Sequence, residues 1–216
     1  MELEKQDYIL LIMNCMKYRN KALHQKETWL KDIPEYLIYY HVIGNPLMEN
    51  EFEFDNLERI LWIKCEDDYN SLPKKVIKAY KSIHKTFDYK YIFKTDDDQM
   101  LQNIKFFDLV KGFINKKEPT PQYGGNIVDV KQNYLSKYHT VHPELPKNLP
   151  VLITKYCSGR FYFLSKEAIK DLIYRMDLIC DEYLEDYAIG YNLSSKFKIG
   201  MLHLETNKFF NDFSLD

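Results

Sequence analysis

Three consecutive carboxylates, Asp96, Asp97 and Asp98, close the apolar stretch KYIFKTDDDQML. On an extended chain side chains alternate, so Asp96 and Asp98 share one face and Asp97 takes the other. Two carboxylates ~5 Å apart repel by roughly 3 kcal/mol at an effective dielectric of ~20. Either the loop is solvated, the commoner case for an acidic triplet, or a hard divalent cation with oxygen ligands, Mn2+ or Mg2+, sits among them. Such a cation could hold a phosphate there. A second acidic pair, Glu185 and Asp186 in YLEDYAIGY, could supply a proton acceptor, although acids are favoured in any first helical turn. His203 in GMLHLE is a candidate ligand nitrogen or, equally, a packed core side chain.

The elements around these residues decide whether they can meet. YILLIM is a continuous apolar run of strand length, residues 20–31 are expected to be helical, and EYLIYYHVIG and RILWIKC read as further strands. From residue 71 to 87, Leu72, Val76, Tyr80, Ile83 and Phe87 recur in steps of three and four, one face of an amphipathic helix. Ser71 is its expected N-cap and Pro73 falls in the first turn. YKYIFK is then a strand running into the acidic triplet. Strand and helix in alternation predict a mostly parallel sheet with right-handed crossovers, in which ligands bind beyond the carboxyl ends of the strands. Residues 119–150, richer in Pro, Gly and Asn, are expected to form loops and short strands. FYFLSKEAIKDLIYRM reads as a strand, a Ser165 N-cap and a helix; EDYAIGYNLSSKF as another helix; IGMLHLE as a last short strand.

The chain has 216 residues, the size of one α/β domain spanning 1–216. Its net charge of −2 gives no electrostatic support to nucleic-acid binding. Four widely spaced cysteines without a CxxC pair point to free thiols rather than zinc. The acidic, polar start and the short apolar run after it resemble neither a signal peptide nor a membrane span, so the expectation is a cytoplasmic protein.

Six segments in order resemble the β-1,3-galactosyltransferase and Fringe-like glycosyltransferases. RNKALHQKETWL is similar to that family's opening Arg…Thr-Trp signature, and DDYNSLPKKVIKAY to its Asp-x-Tyr-x-Asn-Leu-x-x-Lys helix entry. YIFKTDDDQML resembles its Phe-x-x-Lys-x-Asp-Asp-Asp metal motif, and KYCSGRFYFLSKEA its Tyr-Cys-Ser-Gly-Gly-Gly-Tyr-x-Leu-Ser segment. LEDYAIGYNL resembles its Glu-Asp-Val-x-x-Gly element, and LHLET its His-containing close. The resemblance runs from about Arg19 to Thr206.

It implies an α/β GT-A fold, Rossmann-like, with a mostly parallel central sheet and flanking helices. It implies an inverting hexosyltransferase that uses Mn2+ (or Mg2+) and a UDP-sugar, UDP-galactose or UDP-N-acetylglucosamine in type. The acceptor would be a glycan or glycoconjugate hydroxyl and the linkage β-1,3. Carried over by residue, Asp98 would bind the metal and His203 would be its distal ligand. Asp96 and Asp97 would hold the ribose and the metal's surroundings. Lys94 and Arg19 would lie near the nucleotide or diphosphate, or else brace the carboxylates, and Asp68 would lie near the nucleotide. Gly159 would line the sugar and acceptor pocket, and Asp186 would be the base. The family's glycine run is here Gly159-Arg160-Phe161, which narrows the pocket or sets a cation, Arg160, beside the donor. Two rivals stand beside this: a non-catalytic sugar-nucleotide-binding or chaperone-like protein of the same fold, and a metal-dependent phosphohydrolase.

Overall fold

A computed structural model describes residues 3–215. The domain expectation of 1–216 extends to three residues, at positions 1, 2 and 216, that lie outside the described ones. Eight strands form the main sheet: β1 (Tyr8–Met13), β2 (Leu37–Gly44), β3 (Phe52–Asp55), β4 (Ile60–Ile63), β5 (Tyr91–Asp96), β6 (Tyr123–Val130), β7 (Thr154–Ser165) and β8 (Leu202–His203). Their spatial order is β8-β6-β7-β5-β1-β2-β4-β3. β4, β2, β1 and β5 are mutually parallel, while β7 and β3 run against their neighbours.

β1 shows why the sheet sits in the middle of the molecule. All six of its residues are buried. Ile9, Leu11 and Met13 enter one apolar layer, and Tyr8, Leu10 and Ile12 the other. A strand covered on both faces has no polar side to show, hence the unbroken apolar run. The first layer is closed by α2 (Leu72–Thr86), α4 (Lys166–Tyr174), α5 (Met176–Cys180) and α6 (Glu185–Asn192). The second is closed by α3 (Phe106–Lys116) and by Trp29 and Leu30, which follow α1 (Arg19–Glu27).

Several local expectations hold. Val76, Tyr80 and Ile83 face the core from α2. Ser165 caps α4, its Oγ accepting from the Ala168 N–H at 3.2 Å. At α2 the capping differs: Ser71 makes no side-chain cap bond, and Asp68 Oδ1 instead accepts from the Ser71 N–H at 2.8 Å. The helix expected over residues 20–31 breaks after Glu27 into a short 3-10 turn, Trp29–Asp32. Residues 119–150, expected to form loops and short strands, hold the short strand Tyr134–Leu135 and also β6, a longer strand of eight residues inserted between β8 and β7. All four cysteines, Cys15, Cys65, Cys157 and Cys180, are free.

α6 packs directly on β7 through Gly190. A Cβ there would stand 2.2 Å from Tyr156 Cβ and 2.8 Å from its Cα. Helix propensity alone would make Gly190→Ala stabilising by ~1 kcal/mol. The overlap is with rigid atoms, so the substitution is expected to cost about 1–3 kcal/mol instead. Thermal melts decide the sign: a melting temperature equal to or above that of the wild type would show that α6 does not sit this close. Two-stranded pairs add edges outside the main sheet, notably Gln99–Leu101 with Phe210–Asp212. Among the described residues no helix is long and apolar enough to cross a membrane.

Candidate active site

The acidic triplet spans the last residue of β5, Asp96, and the turn after it, Asp97 and Asp98, and is pinned by β1 and α1. The Asp97 N–H donates to the Met13 carbonyl at the end of β1. Gln25 of α1, fully buried, donates through Nε2 to the Asp96 carbonyl at 3.2 Å and the Gln99 carbonyl at 2.9 Å. These bonds fix where each carboxylate points. Asp96 and Asp98 line a cavity of about 490 Å³ at the carboxyl end of β5. Asp97 lies on the other side, accepting from Asn14 Nδ2 at 2.8 Å and facing Lys21 at 3.7 Å. Burial raises the Asp97 carboxyl to about 6 against the opposing pull of Lys21.

Lys94 projects from β5 into the same region and is 1% exposed. Its Nζ donates to Asp96 Oδ1 at 2.7 Å, Glu185 Oε2 at 2.9 Å and the Gly159 carbonyl at 3.1 Å. An ammonium has three donors, so all are engaged. Burial works to lower its pKa, but Asp96 and Glu185 outweigh that and raise it, so Lys94 stays charged. This is the bracing role. Glu185 also accepts from Tyr162 OH, which in turn bonds Tyr80 OH at 2.7 Å. Every strong partner of Glu185 therefore belongs to the core.

Asp186, one residue on, faces the cavity. One carboxylate oxygen accepts from the Gly159 N–H at 3.0 Å and the other from its neighbour Tyr187 N–H at 2.8 Å. Burial first, then the Glu185 charge, raise it to about 6, while Lys94 and the two N–H bonds oppose the rise. Gly159 reaches this place because β7 is irregular there: the four residues between Cys157 and Tyr162 face one residue of β6, between Ile127 and Gly125. A Cβ on Gly159 would lie 3.4 Å from Asp96 Oδ2 and 3.8 Å from Asp186 Oδ2, so the bulge stands between the triplet and Asp186.

The other expected residues do not line the cavity, although Lys94 bonds three that do. Among the described residues its lining does not include Arg19, Asp68, Lys94, Asp97 or His203. Arg19 is exposed at the start of α1, and Asp68 caps α2. His203 is exposed on β8, its Nδ1 accepting from the Ile127 N–H at 3.3 Å. Register places His203 opposite Gly125, Gly125 opposite Tyr162, and Tyr162 opposite Lys94. That is three strand spacings from β5, about 14 Å. His203 thus stands three strands across the sheet from β5, because β8 joins the sheet beyond β6 and not beside β5.

Other side chains, not expected from the sequence, complete the cavity. Asp212 and Asn207 arrive from the C-terminal segment, and Tyr69, Tyr134, Tyr138, Tyr156 and Tyr187 form an aromatic wall. Five carboxylates line the cavity, from Asp96, Asp98, Glu185, Asp186 and Asp212, against one cation, Arg160. A wall so acidic repels a diphosphate unless a cation accompanies it. Among the described residues no three His, Cys, Asp or Glu side chains converge as a metal cage. Mg2+-like ions do not need one: they commonly take one or two carboxylates, several waters and substrate phosphates. Asp98, an oxygen donor at the cavity edge, fits that coordination.

The galactosyltransferase family profile matches residues 19–205. The chain belongs to this family. It is a glycosyltransferase with an α/β fold. Among curated proteins none matches. Solved structures that resemble this transferase include a glycosyltransferase involved in glycosylation of the major capsid of PBCV-1, 11% identical, covering 93% of this chain and 83% of that one, TM-score 0.45. Mouse xyloside xylosyltransferase 1 is 9% identical, with 94% and 85% covered and a TM-score of 0.43. The 2-C-methyl-D-erythritol 4-phosphate cytidylyltransferase of Francisella tularensis is 12% identical, with 97% and 95% covered and a TM-score of 0.47.

Proposed function

We propose that this transferase moves a hexose or N-acetylhexosamine from a UDP-sugar to a glycan hydroxyl with inversion, in a β-1,3 linkage, using Mn2+ or Mg2+. The observation that carries the reading is the juxtaposition of Asp98 and Asp186 in one cavity, with the Gly159 bulge between the triplet and the base. Asp98 holds the metal, which when bound supplies a Lewis acid for the departing diphosphate. Asp186 accepts the proton of the acceptor hydroxyl as that oxygen attacks the anomeric carbon from the face opposite the leaving group. The Gly159 and Tyr187 N–H groups hold the Asp186 carboxylate in one orientation. Lys94 and Gln25 do no chemistry; they keep the triplet and α6 in place.

The test is product formation. Purified protein is incubated with UDP-galactose, UDP-N-acetylglucosamine or UDP-glucose and a panel of simple glycosides, with Mn2+ or with EDTA. A glycoside carrying one further sugar, formed only with metal, is the expected product. Consumption of the donor without any such product would favour a phosphohydrolase and reject the proposal. Asp98→Ala should abolish metal-dependent UDP-sugar binding while the apo fold melts at or above the wild-type temperature, since one repelling charge is gone. Metal-dependent binding that survives in Asp98→Ala would remove Asp98 from the site.

A further inference from the structure

The C-terminal segment meets Asp98 through a backbone register. Phe210–Asp212 pairs antiparallel with Gln99–Leu101, which places Asp212 opposite Gln99. The Phe213 N–H donates to the Asp98 carbonyl at 2.9 Å. One side-chain amide then links two acids: Gln99 Nε2 donates to Asp98 Oδ1 at 2.9 Å and to Asp212 Oδ1 at 2.8 Å. Two carboxylates meet on a single neutral donor, an arrangement that a divalent cation between them would favour.

Two further observations point to a cation and its phosphate. Gln99 is 4% exposed, and its Oε1 has no hydrogen-bond partner among the described residues. A buried carbonyl oxygen without a partner is unfavourable. The two acids fix the amide with its nitrogen toward them; with a cation there, the amide that turns over offers this oxygen as a further hard ligand. Arg160 is the second observation. Its NH2 group donates to Asp212 Oδ1 at 2.7 Å and Oδ2 at 2.8 Å, and its NH1 to the Phe210 carbonyl at 2.9 Å. It is the one cationic side chain among the described residues of the cavity lining, and Asp212 occupies it.

We propose that Asp212 is the second carboxylate of the divalent-cation site beside Asp98, and that Arg160 passes from Asp212 to the donor's diphosphate when the cation takes its place. This rests on the metal-dependent transfer reading above. It assigns the distal ligand to the segment that pairs with Gln99 and gives His203 no part in coordination. It also gives a task to the arginine that replaces the family's glycine.

Mn2+ alone and Mn2+ with UDP are the probes. Free Mn2+ is followed by its paramagnetic resonance signal during titration of wild type, Asp212→Asn and His203→Ala. Asp212→Asn should weaken Mn2+ binding roughly 10-fold or more, the scale on which even outer partners of a metal site matter. His203→Ala should leave it unchanged. Asn keeps an oxygen for Arg160 and leaves the backbone pairing intact, so an unaltered melting temperature separates a lost ligand from a lost fold. Arg160→Gln should weaken UDP binding when Mn2+ is present. Asp212→Asn with wild-type Mn2+ affinity, a larger loss in His203→Ala, or a wild type that binds no Mn2+ in the presence of UDP would each overturn the proposal. Sugar transfer by the wild type is measured separately, so glycoside formation alongside any of these outcomes rejects Asp212 and leaves the transferase reading standing.

Discussion

Asp186→Asn is expected to keep Mn2+ and UDP-sugar binding and to lose sugar transfer by at least ~100-fold, the low end for a general base. Asn retains the outline of the side chain and one oxygen for the Gly159 or Tyr187 N–H, but it cannot take a proton. The wild type carries a second signature of the same group. Its Asp186 carboxyl is raised to about 6, chiefly by burial and then by Glu185. A base works only when deprotonated, so transfer should be level above that pH and fall about tenfold per unit below it. The acid limb of kcat/KM should vanish from whatever activity remains in Asp186→Asn. Glu185 lines the cavity but has Lys94 and Tyr162 on its two oxygens, so Glu185→Gln should act chiefly through stability. Near-normal turnover by Asp186→Asn would send the search for the base to another carboxylate of the cavity.

Lys94→Met is expected to be the most damaging single change to the fold. Met fills much of the lysine's volume, so little cavity results. It leaves Glu185, 6% exposed, and the partly covered Asp96 without their shared cation. Removing one partner of a buried ion pair costs about 3–5 kcal/mol, a large part of a typical total of about 5–15 kcal/mol. The deficit should be greatest at pH 8 and shrink toward pH 5, because proton uptake neutralises the stranded acids. Lys94, whose own pKa is raised, contributes fully throughout that range and would lose its contribution only at strongly alkaline pH. Urea melts of both proteins at the two pH values measure this. A variant as stable as the wild type at pH 8 would mean that the triad is structurally dispensable. Gly159 should feel the loss too, since its carbonyl bonds Lys94 and its N–H bonds Asp186.

Most of the sheet was legible because burial on both faces leaves a plain mark. YILLIM, LIYYHVIG and the run before the triplet are apolar without interruption, and α2 shows its buried face every three or four residues. β3 was missed because FEFD is short and half acidic, as suits a half-exposed edge strand. The length of β6 was not legible because it begins YGGN, where glycine permits close approach: a Cβ on Gly124 would stand 2.6 Å from the Phe163 ring.

In the site, the separation of Asp97 from Asp96 and Asp98 was readable, although only Asp96 lies on the strand and Asp97 and Asp98 form the turn after it. The place of His203 three strands from β5 was not, because motif order along the chain says nothing about which sheet edge the last strand joins. Asp212 left no signal either: its partner Gln99 is 113 positions away, and nothing in FFNDF marks an acid destined for a cavity. The tyrosine wall had a faint trace in the count of 18, but tyrosines are spread through core and surface alike, so number did not reveal place.

The pairing of Gln99–Leu101 with Phe210–Asp212 has a consequence for the order in which this protein is made. Chains emerge from the ribosome amino end first and fold by units as they come. β1, β2, β4 and β5 can associate once residue 96 is out, so the acidic turn takes shape early. Until residue 212 follows, Asp98 and Gln99 lack their covering strand, and Arg160 has no carboxylate to hold it. A nascent chain stalled short of that point would carry a formed sheet and an unfinished pocket. The pocket is therefore completed only when residue 212 has been made, after the central strands have had the chance to pair.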